Sequence, residues 1–529
     1  MTSLRALLAV ALLAATLATY ANVLGAGFVW DDHVVVLQNP DLRDLSRIGN
    51  IISSPDLLAR SQPAPYYRPL HRLSYLADVH LFGLDPRFSH LLNAILHAGA
   101  VLALFGLGLL LFEAGTPAFV AALLFAAHPI NAEAVDFVTA RNNLLVGLLV
   151  LLATIAFLKS RLERRPGLAW LAGAFFLLAL FTKETGFMLL PFLLLWELRP
   201  RRGPTDPARS RLAALLPMAL ATVAYAGLRA QVLPNVVGQT PRMSDLATAI
   251  GDDLHILPEY LRLVVWPSGL TVHHGDPATY FAGVGARVAA WVAIALAVTL
   301  LVRQRRPVTG FGLLWFAVNF APVSGIIPIP SAAIAERFMY VPAIGLWLVV
   351  ADQLEALREK ASRRWWVPAA AVAVCAALAA VTVKRNQDWR SDTALFESAL
   401  RVDPRSTDAR YNLAIALLDA GDGDGARREW ERTLAVDPGH AGALAQLGTW
   451  YAQRGDLATA GHYFERVLAV NPRDVETRFN LALLLERLGR PDDALRHYQE
   501  FLRLDPVDYP DLVPRVRERI QKLQREPVP

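Results

Sequence analysis

The 529-residue sequence contains one cysteine, Cys375, and only five lysines, although it is rich in arginine. A single cysteine excludes an internal disulfide and makes a cysteine-based metal site untenable. The arginines lie in short tracts between apolar runs and form no long basic face with aromatic residues between them. The formal net charge of +5 is therefore no sign of nucleic-acid binding. The excess of arginine over lysine is typical of a GC-rich genome.

Charged residues are also scarce, at 19%, whereas 54% of the residues are hydrophobic, which is more than a soluble domain usually carries. A helix needs about 20 apolar residues to cross a membrane. We predict eleven spans, at 4–24, 89–112, 117–130, 143–158, 168–183, 187–198, 212–228, 286–303, 309–327, 338–353 and 366–383. The first segment could instead be a cleaved signal peptide, but no small-residue cleavage site precedes Asp31, so the sequence favours an uncleaved helix.

Basic residues give the orientation of these spans. The tracts "KSRLERRPG", "RPRRGPTDPARSR", "RQRRP" and "EALREKASRRW" all follow even-numbered spans. Because basic loops stay in the cytoplasm, we expect a cytoplasmic N-terminus. The loops 28–88 and 229–285, and everything after the last span, then lie outside the cytoplasm. The arginine bias favours a bacterial plasma membrane over an endoplasmic reticulum.

The C-terminal region repeats every 34 residues. Proline follows an aspartate or asparagine at 403, 437, 471 and 505, while a glycine recurs at 421, 455 and 489. Leucine at 413, 447 and 481, and a bulky aromatic residue at 396, 430, 464 and 498, keep the same spacing. This period is the signature of tetratricopeptide repeats. We predict an all-α chain with a polytopic membrane domain over 1–385 and, over 386–529, a half repeat, three repeats and a capping helix. The concave face of such a stack suits an extended peptide.

Ionisable residues at the edge of a membrane are costly and are functional candidates by default. The stretch "GFVWDDHVVV" places Asp31 and Asp32 directly after the first span. The other candidates gather at the same predicted face: the cations Arg68, Arg141, Lys183 and Arg337, with His128, Glu133, Glu184, Glu336 and Tyr340 as supporting residues. The cations could hold a lipid-borne phosphate by charge-assisted hydrogen bonds, and a carboxylate could act as a general base.

Simpler explanations exist for several of these residues. Arg141 could snorkel to the interface, Lys183 could pair with Glu184, and Glu336 with Arg337. His128 stands before Pro129 and could cap a helix. The adjacent pair His273-His274 ("HH" in "LTVHHG") suggests a metal only faintly, because neighbouring side chains diverge. We therefore predict no metal ligand among the site residues.

Six motifs occur in a fixed order along the chain: "FVWDDHVVVLQNPDL", "YYRPL", "HPINAEAVDFVTAR", "TKETG", "ERFMYVP" and "NQDWRSDTALFESALRVDP". Together with the repeats that follow, they resemble the transmembrane and tetratricopeptide repeat O-mannosyltransferases, the TMTC-like family. The resemblance implies a GT-C fold and a polyprenyl- or dolichyl-phosphate sugar, mannose above all, as donor. It implies Ser or Thr hydroxyls of extracytoplasmic proteins as acceptors. The repeat array is shorter than many in that family, so the acceptor stays open.

By the same resemblance the acidic pair corresponds to the family's catalytic motif. One aspartate takes the acceptor proton and the other positions the acceptor or a cation; the sequence does not order them, and Asp31 is our preferred base. Cations at the phosphate would make a cofactor or metal unnecessary, although two carboxylates leave a metal-dependent variant open.

Three alternatives to a protein O-mannosyltransferase follow from the same sequence. A GT-C transferase with a glycan or lipid acceptor would not need peptide-binding repeats. A non-catalytic scaffold would need only one or two anchoring helices. A transporter would carry its polar residues near the middle of the membrane, whereas these group at one face.

Overall fold

The structure is a computed structural model that describes residues 2–55, 66–199, 208–233, 255–275, 283–324, 334–504, 509 and 511–525. The described part of the chain is helical and contains no strand. The chain divides into two compact units, Met1–Ala394 and Leu395–Pro529. This division falls nine residues after the boundary expected from the sequence. The reason is that the segment following the last span packs into the first unit, where Trp389 is fully buried.

The first unit is built from helices of very different lengths. A short π-helix, His33–Leu37, and several 3-10 turns lie between them. The α-helices are Thr2–Thr19, Ile48–Ser53, Pro69–Phe82, Pro86–Phe112, Gly115–Ala127, Ala132–Asp136, Arg141–Leu162, Pro166–Leu180, Leu189–Leu198, Ala208–Ala213, Leu216–Val232, Val284–Arg303, Pro307–Phe320, Pro342–Lys360 and Trp366–Arg385, and residues 255–265 are also helical.

The expected count of eleven spans is not confirmed. Within the described ranges, six helices are long and apolar enough to cross a membrane: Ser3–Gly25, Pro86–Phe112, Val138–Leu162, Arg211–Val232, Val284–Arg303 and Trp366–Trp389. A seventh span is possible if Gly115–Ala127 and Pro129–Asp136, bent by 53°, count as one. Apolar composition alone does not give the length of a helix: the run 187–198, for example, forms a helix of only 10 residues. Such a helix is about 15 Å long, half the thickness of the hydrocarbon core.

Glycine allows two helices of the first unit to touch. A Cβ atom on Gly312 would lie 2.4 Å from the carbonyl oxygen of Gly345, and a Cβ on Gly345 would lie 2.3 Å from that of Gly312. Small residues permit such backbone contact between apolar helices, where dispersion forces and not the hydrophobic effect drive packing. The contact joins Pro307–Phe320 to Pro342–Lys360, the helix that follows Arg337 and Tyr340.

The second unit has the helix pairs expected of tetratricopeptide repeats. Its turn glycines all have positive φ, 88° at Gly421, 83° at Gly455 and 70° at Gly489, a conformation that other residues rarely adopt. The aromatic residues at 430, 464 and 498 are buried between the helices. The helices are Asp392–Val402, which begins in the first unit, and then Thr407–Asp419, Gly423–Val436, Ala441–Gln453, Leu457–Val470, Val475–Arg487, Pro491–Arg503 and Leu512–Arg525.

The glycine contact predicts a stability effect. Gly312→Ala should lower the free energy of unfolding by about 1–3 kcal/mol, because the obstructing atom is backbone and cannot move aside cheaply. Gly310→Ala, on the same helix with open space around its Cβ position, is the matched control. Thermal unfolding of both variants in detergent measures the difference. Equal melting temperatures would contradict the tight packing.

Candidate active site

A cavity of about 670 Å³ lies within the first unit. One part of its wall is polar, with Asp31, Arg68, Lys183, Glu184 and Arg337; we call this part the polar end. The rest of the wall is mainly apolar and includes Val146, Val150, Leu180, Met188 and Val323; we call it the apolar arm.

Two helices show how the wall changes from polar to apolar. On Arg141–Leu162, the lining residues Asn143, Val146 and Val150 recur at helical spacing, so the wall becomes apolar as this helix runs on. On Leu216–Val232, the lining residues are Thr222, Ala226 and Arg229, so here the charged residue lies near the C-terminal end of the helix. The polar residues therefore gather where these helices begin or end, and the apolar arm extends along the body of the helices. This shape fits an amphiphile with an anionic head.

The two aspartates of the first loop have different surroundings. The Asp31 side chain is exposed to the cavity, and no described residue donates a hydrogen bond to its carboxylate. Asp32 has no exposed surface. Its Oδ1 accepts hydrogen bonds from the Thr139 backbone N–H at 2.7 Å and the Thr139 hydroxyl at 2.5 Å, and its Oδ2 accepts one from the Val29 N–H at 3.2 Å. Asp32 therefore anchors the loop, and Asp31 faces the space in which a substrate would lie.

Burial affects the acidity of both carboxyl groups. Removal from water raises the pKa of Asp31, and the nearby positive charge of Arg337 opposes that rise. Burial raises the pKa of Asp32 to about 7, although the hydrogen bonds from Thr139 and Val29 pull it down. A raised pKa makes a carboxylate a stronger base, provided that it is ionised at the working pH.

Each cation of the polar end is held by an oxygen of a neighbouring element. Arg68 donates from Nε and Nη2 to Glu184 Oε2, at 3.0 and 2.8 Å. Lys183 Nζ donates to Asn143 Oδ1 at 2.5 Å. Arg337 forms an ion pair with the fully buried Glu133, which also accepts the Arg337 backbone N–H at 2.9 Å. These contacts place three cations from separate segments around one space.

The cavity lining carries more positive than negative charge. Arg68, Lys183, Arg229 and Arg337 line it, against the carboxylates of Asp31 and Glu184. Such a wall suits an anion, and arginine and lysine side chains bind phosphate well. In the part of the chain that the structure describes, no group of three or more His, Cys, Asp or Glu residues is arranged to hold a metal ion.

Arg141 does not line the cavity, so its expected contact with a donor phosphate needs correction. Its side chain is fully buried, with Nη2 2.6 Å from Asp78 Oδ2 and Nε 2.8 Å from Asn93 Oδ1. These contacts tie the start of Arg141–Leu162 to the helices Pro69–Phe82 and Pro86–Phe112. The cost of burying this charge is offset by its carboxylate partner, and the sequence alone could not reveal Asp78.

Three of the expected supporting residues lie behind the cavity wall. His128 Nδ1 accepts the Ile130 N–H at 3.2 Å, so this residue caps a 3-10 turn. Tyr340 is buried with its hydroxyl 2.8 Å from His97 Nδ1. Glu336 is buried and accepts the Thr271 N–H at 2.5 Å.

Several residues of the polar end were not expected from the sequence. His71, Thr139 and Asn143 line the cavity, as do Tyr66 and Arg229. Tyr66 and His71 stand in the motif "YYRPLHRLSY", on either side of Arg68. Arg229 could have been found as a cation at the extracytoplasmic end of a predicted span.

Comparison with known proteins gives two kinds of similarity. Two family models of the tetratricopeptide repeat match residues 393–448 and 447–521. Protein O-mannosyl-transferase TMTC3 of Mus musculus is 26% identical over 450 residues, which cover 76% of this chain and 48% of that protein. Protein O-mannosyl-transferase TMTC1 of Homo sapiens is 27% identical over 475 residues, 78% of this chain and 53% of that protein. The chain is therefore similar to TMTC proteins over about three quarters of its length.

A third similar protein is Protein O-mannosyl-transferase F38B6.6 of Caenorhabditis elegans. It is 24% identical over 420 residues, which cover 78% of this chain and 60% of that protein. The chain thus spans about half the length of the curated relatives it matches.

The different surroundings of the two aspartates predict different effects on stability. Thr139→Val removes the hydroxyl that donates to Asp32 Oδ1 and leaves the Asp32 carboxylate in place. We expect the free energy of unfolding to fall by about 1–3 kcal/mol at pH 8, where Asp32 is ionised. Asp31→Asn, whose side chain accepts no hydrogen bond from a described residue, should be no less stable than the unmodified chain. Thermal unfolding measures both; an unstable Asp31→Asn beside a stable Thr139→Val would contradict the assignment.

Proposed function

We propose that this chain is a membrane glycosyltransferase that moves a sugar, mannose in the first instance, from a polyprenyl- or dolichyl-phosphate donor to Ser or Thr hydroxyls of proteins. The observation that carries the proposal is the cavity itself. It holds a carboxylate, Asp31, beside three cations and continues into an apolar arm. The names of the curated relatives, all protein O-mannosyl-transferases, support the choice of sugar and acceptor.

In this proposal the donor is bound by both parts of the cavity. Lys183 and Arg337 hold the phosphate, with Arg68 beside them, and the prenyl chain lies in the apolar arm. Glu133 and Glu184 fix the directions of Arg337 and Arg68 through the ion pairs described above. Arg141 acts at a distance, by holding the helix Pro69–Phe82 that follows Arg68.

The reaction is a single displacement at the anomeric carbon. The acceptor hydroxyl oxygen forms a bond to C1 while the bond from C1 to the phosphate oxygen breaks, and the configuration at C1 inverts. The hydroxyl proton passes to Asp31. The electron pair of the broken bond stays on the prenyl phosphate, whose growing negative charge the cations stabilise. Asp32 keeps Asp31 in place and takes no proton from the acceptor.

The acceptor is a protein segment outside the cytoplasm. The repeat unit is of a kind whose concave surface binds extended peptides. We propose that it lies outside the cytoplasm, on the same side of the membrane as Asp31, as the distribution of basic residues predicts. We therefore propose that the chain works at the outer face of a bacterial plasma membrane.

Removal of the base is the first test. Asp31→Asn should lower the turnover number for sugar transfer by about 10²–10⁴-fold, with little change in donor affinity, because the cations are untouched. The measurement uses the full chain in nanodiscs, radiolabelled polyprenyl-phosphate mannose and Ser/Thr-containing acceptor protein. Asp44→Asn is a matched control, since Asp44 lies in the same loop but outside the cavity lining.

Removal of a phosphate ligand should affect donor binding as well as turnover. Lys183→Gln should raise the KM for the donor about 10- to 100-fold, the effect of losing one charged hydrogen bond of about 1.5–3 kcal/mol. It should also lower the turnover number, because Lys183 stabilises the charge that grows on the leaving phosphate. No transfer by the unmodified chain from any lipid-phosphate sugar to protein would overturn the proposed function. Transfer to a lipid or a glycan but not to protein would show that the proposed acceptor class is wrong.

The acidity of Asp31 predicts a pH profile. Since desolvation raises the pKa of Asp31, the turnover number should rise with pH about a midpoint above the ordinary value of 3.8. Arg337 lowers this pKa, so Arg337→Gln should move the midpoint to higher pH. Arg68→Gln, which removes another cation of the same cavity, should leave the midpoint in place. A midpoint that moves downward in Arg337→Gln would exclude Asp31 as the titrating base.

A further inference from the structure

The motif "NQDWRSD", residues 386–392, follows the last predicted span and has no role in the chemistry described so far. In the structure it folds back onto the loop that carries the aspartates. The Gly27 N–H donates to the Arg390 carbonyl oxygen at 3.0 Å. Trp389 is fully buried and its ring stacks on that of Phe137, with centroids 5.4 Å apart. The segment 386–392 therefore packs against the loop that carries Asp31 and Asp32.

Asp392 makes the most direct contacts between the two segments. Its Oδ1 accepts the backbone N–H of Trp30 at 2.6 Å. Its Oδ2 lies 2.8 Å from Nε2 of His33. These two partners flank Asp31 and Asp32 in the chain, so one carboxylate holds both sides of the acidic pair.

The backbone between these contacts is strained. Trp30 has φ of 53°, in the left-handed region that residues other than glycine rarely adopt. A conformation of this kind costs about 1–3 kcal/mol and persists only where its surroundings impose it. The bond from Asp392 to the Trp30 N–H and the stacking of the Trp30 ring on Phe137, 5.5 Å between centroids, supply that constraint. The strained residue comes immediately before Asp31, whose side chain faces the cavity.

We infer that Asp392 is a positioning residue for the reaction: by binding the Trp30 backbone and the His33 ring, it sets the direction in which Asp31 enters the cavity. Asp392 is not among the residues that line the cavity, so it acts through the loop and touches no substrate. This inference rests on the proposed function, because it needs Asp31 to be the base.

The test compares variants of the full chain in nanodiscs in the same transfer assay. Asp392→Ala removes both contacts, whereas Asp392→Asn keeps an oxygen for the Trp30 N–H. Asp388→Asn is the matched control: Asp388 has nearly the same partial exposure, 23% of its side chain against 25% for Asp392, and its carboxylate pairs with Arg385. Hydrogen exchange over 28–35, measured by mass spectrometry, reports on the loop without depending on activity.

We expect Asp392→Ala to lower the turnover number at least about tenfold, since a displacement of about 1 Å can cost 100-fold. The KM for the donor should stay within about twofold, because the phosphate ligands are unchanged. Asp392→Asn should recover part of the turnover. Exchange over 28–35 should be faster in Asp392→Ala and unchanged in Asp388→Asn.

A double variant separates positioning from general damage. In chains that already carry Asp31→Asn, adding Asp392→Ala should cause little further loss, because the group that Asp392 positions is gone. Additive losses, or an unchanged turnover number in Asp392→Ala beside an active unmodified chain, would overturn this inference alone. An inactive unmodified chain would overturn the proposed function, and the inference with it.

Discussion

The ion pair between Arg337 and Glu133 is the interaction on which the rest of the site depends. Glu133 is fully buried in the bent segment after Gly115–Ala127 and accepts both the guanidinium and the backbone N–H of Arg337. A charge in such surroundings is tolerated only with a partner, and loss of one partner of a buried pair typically costs about 3–5 kcal/mol. The pair therefore fixes where the chain from Glu336 to Tyr340 meets the bent segment, and so where the cavity has its cationic wall.

The same requirement explains why the other cations are where they are. Arg68 reaches the cavity because Glu184 pairs with it, and Lys183 reaches it because Asn143 Oδ1 accepts a hydrogen bond from its ammonium group. Each pairing joins segments far apart in the chain, so the charges assemble the site as well as serving it. Each of these cations already has a partner in the protein, so the empty cavity is not full of uncompensated positive charge. An anionic substrate would become a second partner of the same cations.

The repeats could be predicted from the sequence in detail, because their period of 34 fixes helices, turn glycines and buried aromatic residues together. The all-α membrane unit was also predictable from apolar composition. The number of spans was not, because composition does not show where a helix bends at Pro129 or ends after ten residues, as Leu189–Leu198 does.

Within the site, polar residues at the membrane edge identified Asp31, Arg68, Lys183 and Arg337, which share one cavity in the structure. The same reasoning could not place Arg141, whose partner Asp78 lies in a helix inside a predicted loop. It also could not order the two aspartates, since the difference between them comes from Thr139, more than 100 residues away. Contacts between residues far apart in the chain decide these points, and a single sequence does not show which residues are in contact.

The most direct test of the account is a cryo-electron microscopy structure of the Asp31→Asn chain in a nanodisc with its polyprenyl-phosphate mannose donor. The account predicts the phosphate within hydrogen-bond distance, about 3 Å, of Lys183 and Arg337, and the prenyl chain along Val146 and Val150. It also predicts residue 31 beside the face of the sugar opposite the phosphate. A phosphate bound outside this cavity, or residue 31 on the phosphate side of the sugar, would contradict the central claim.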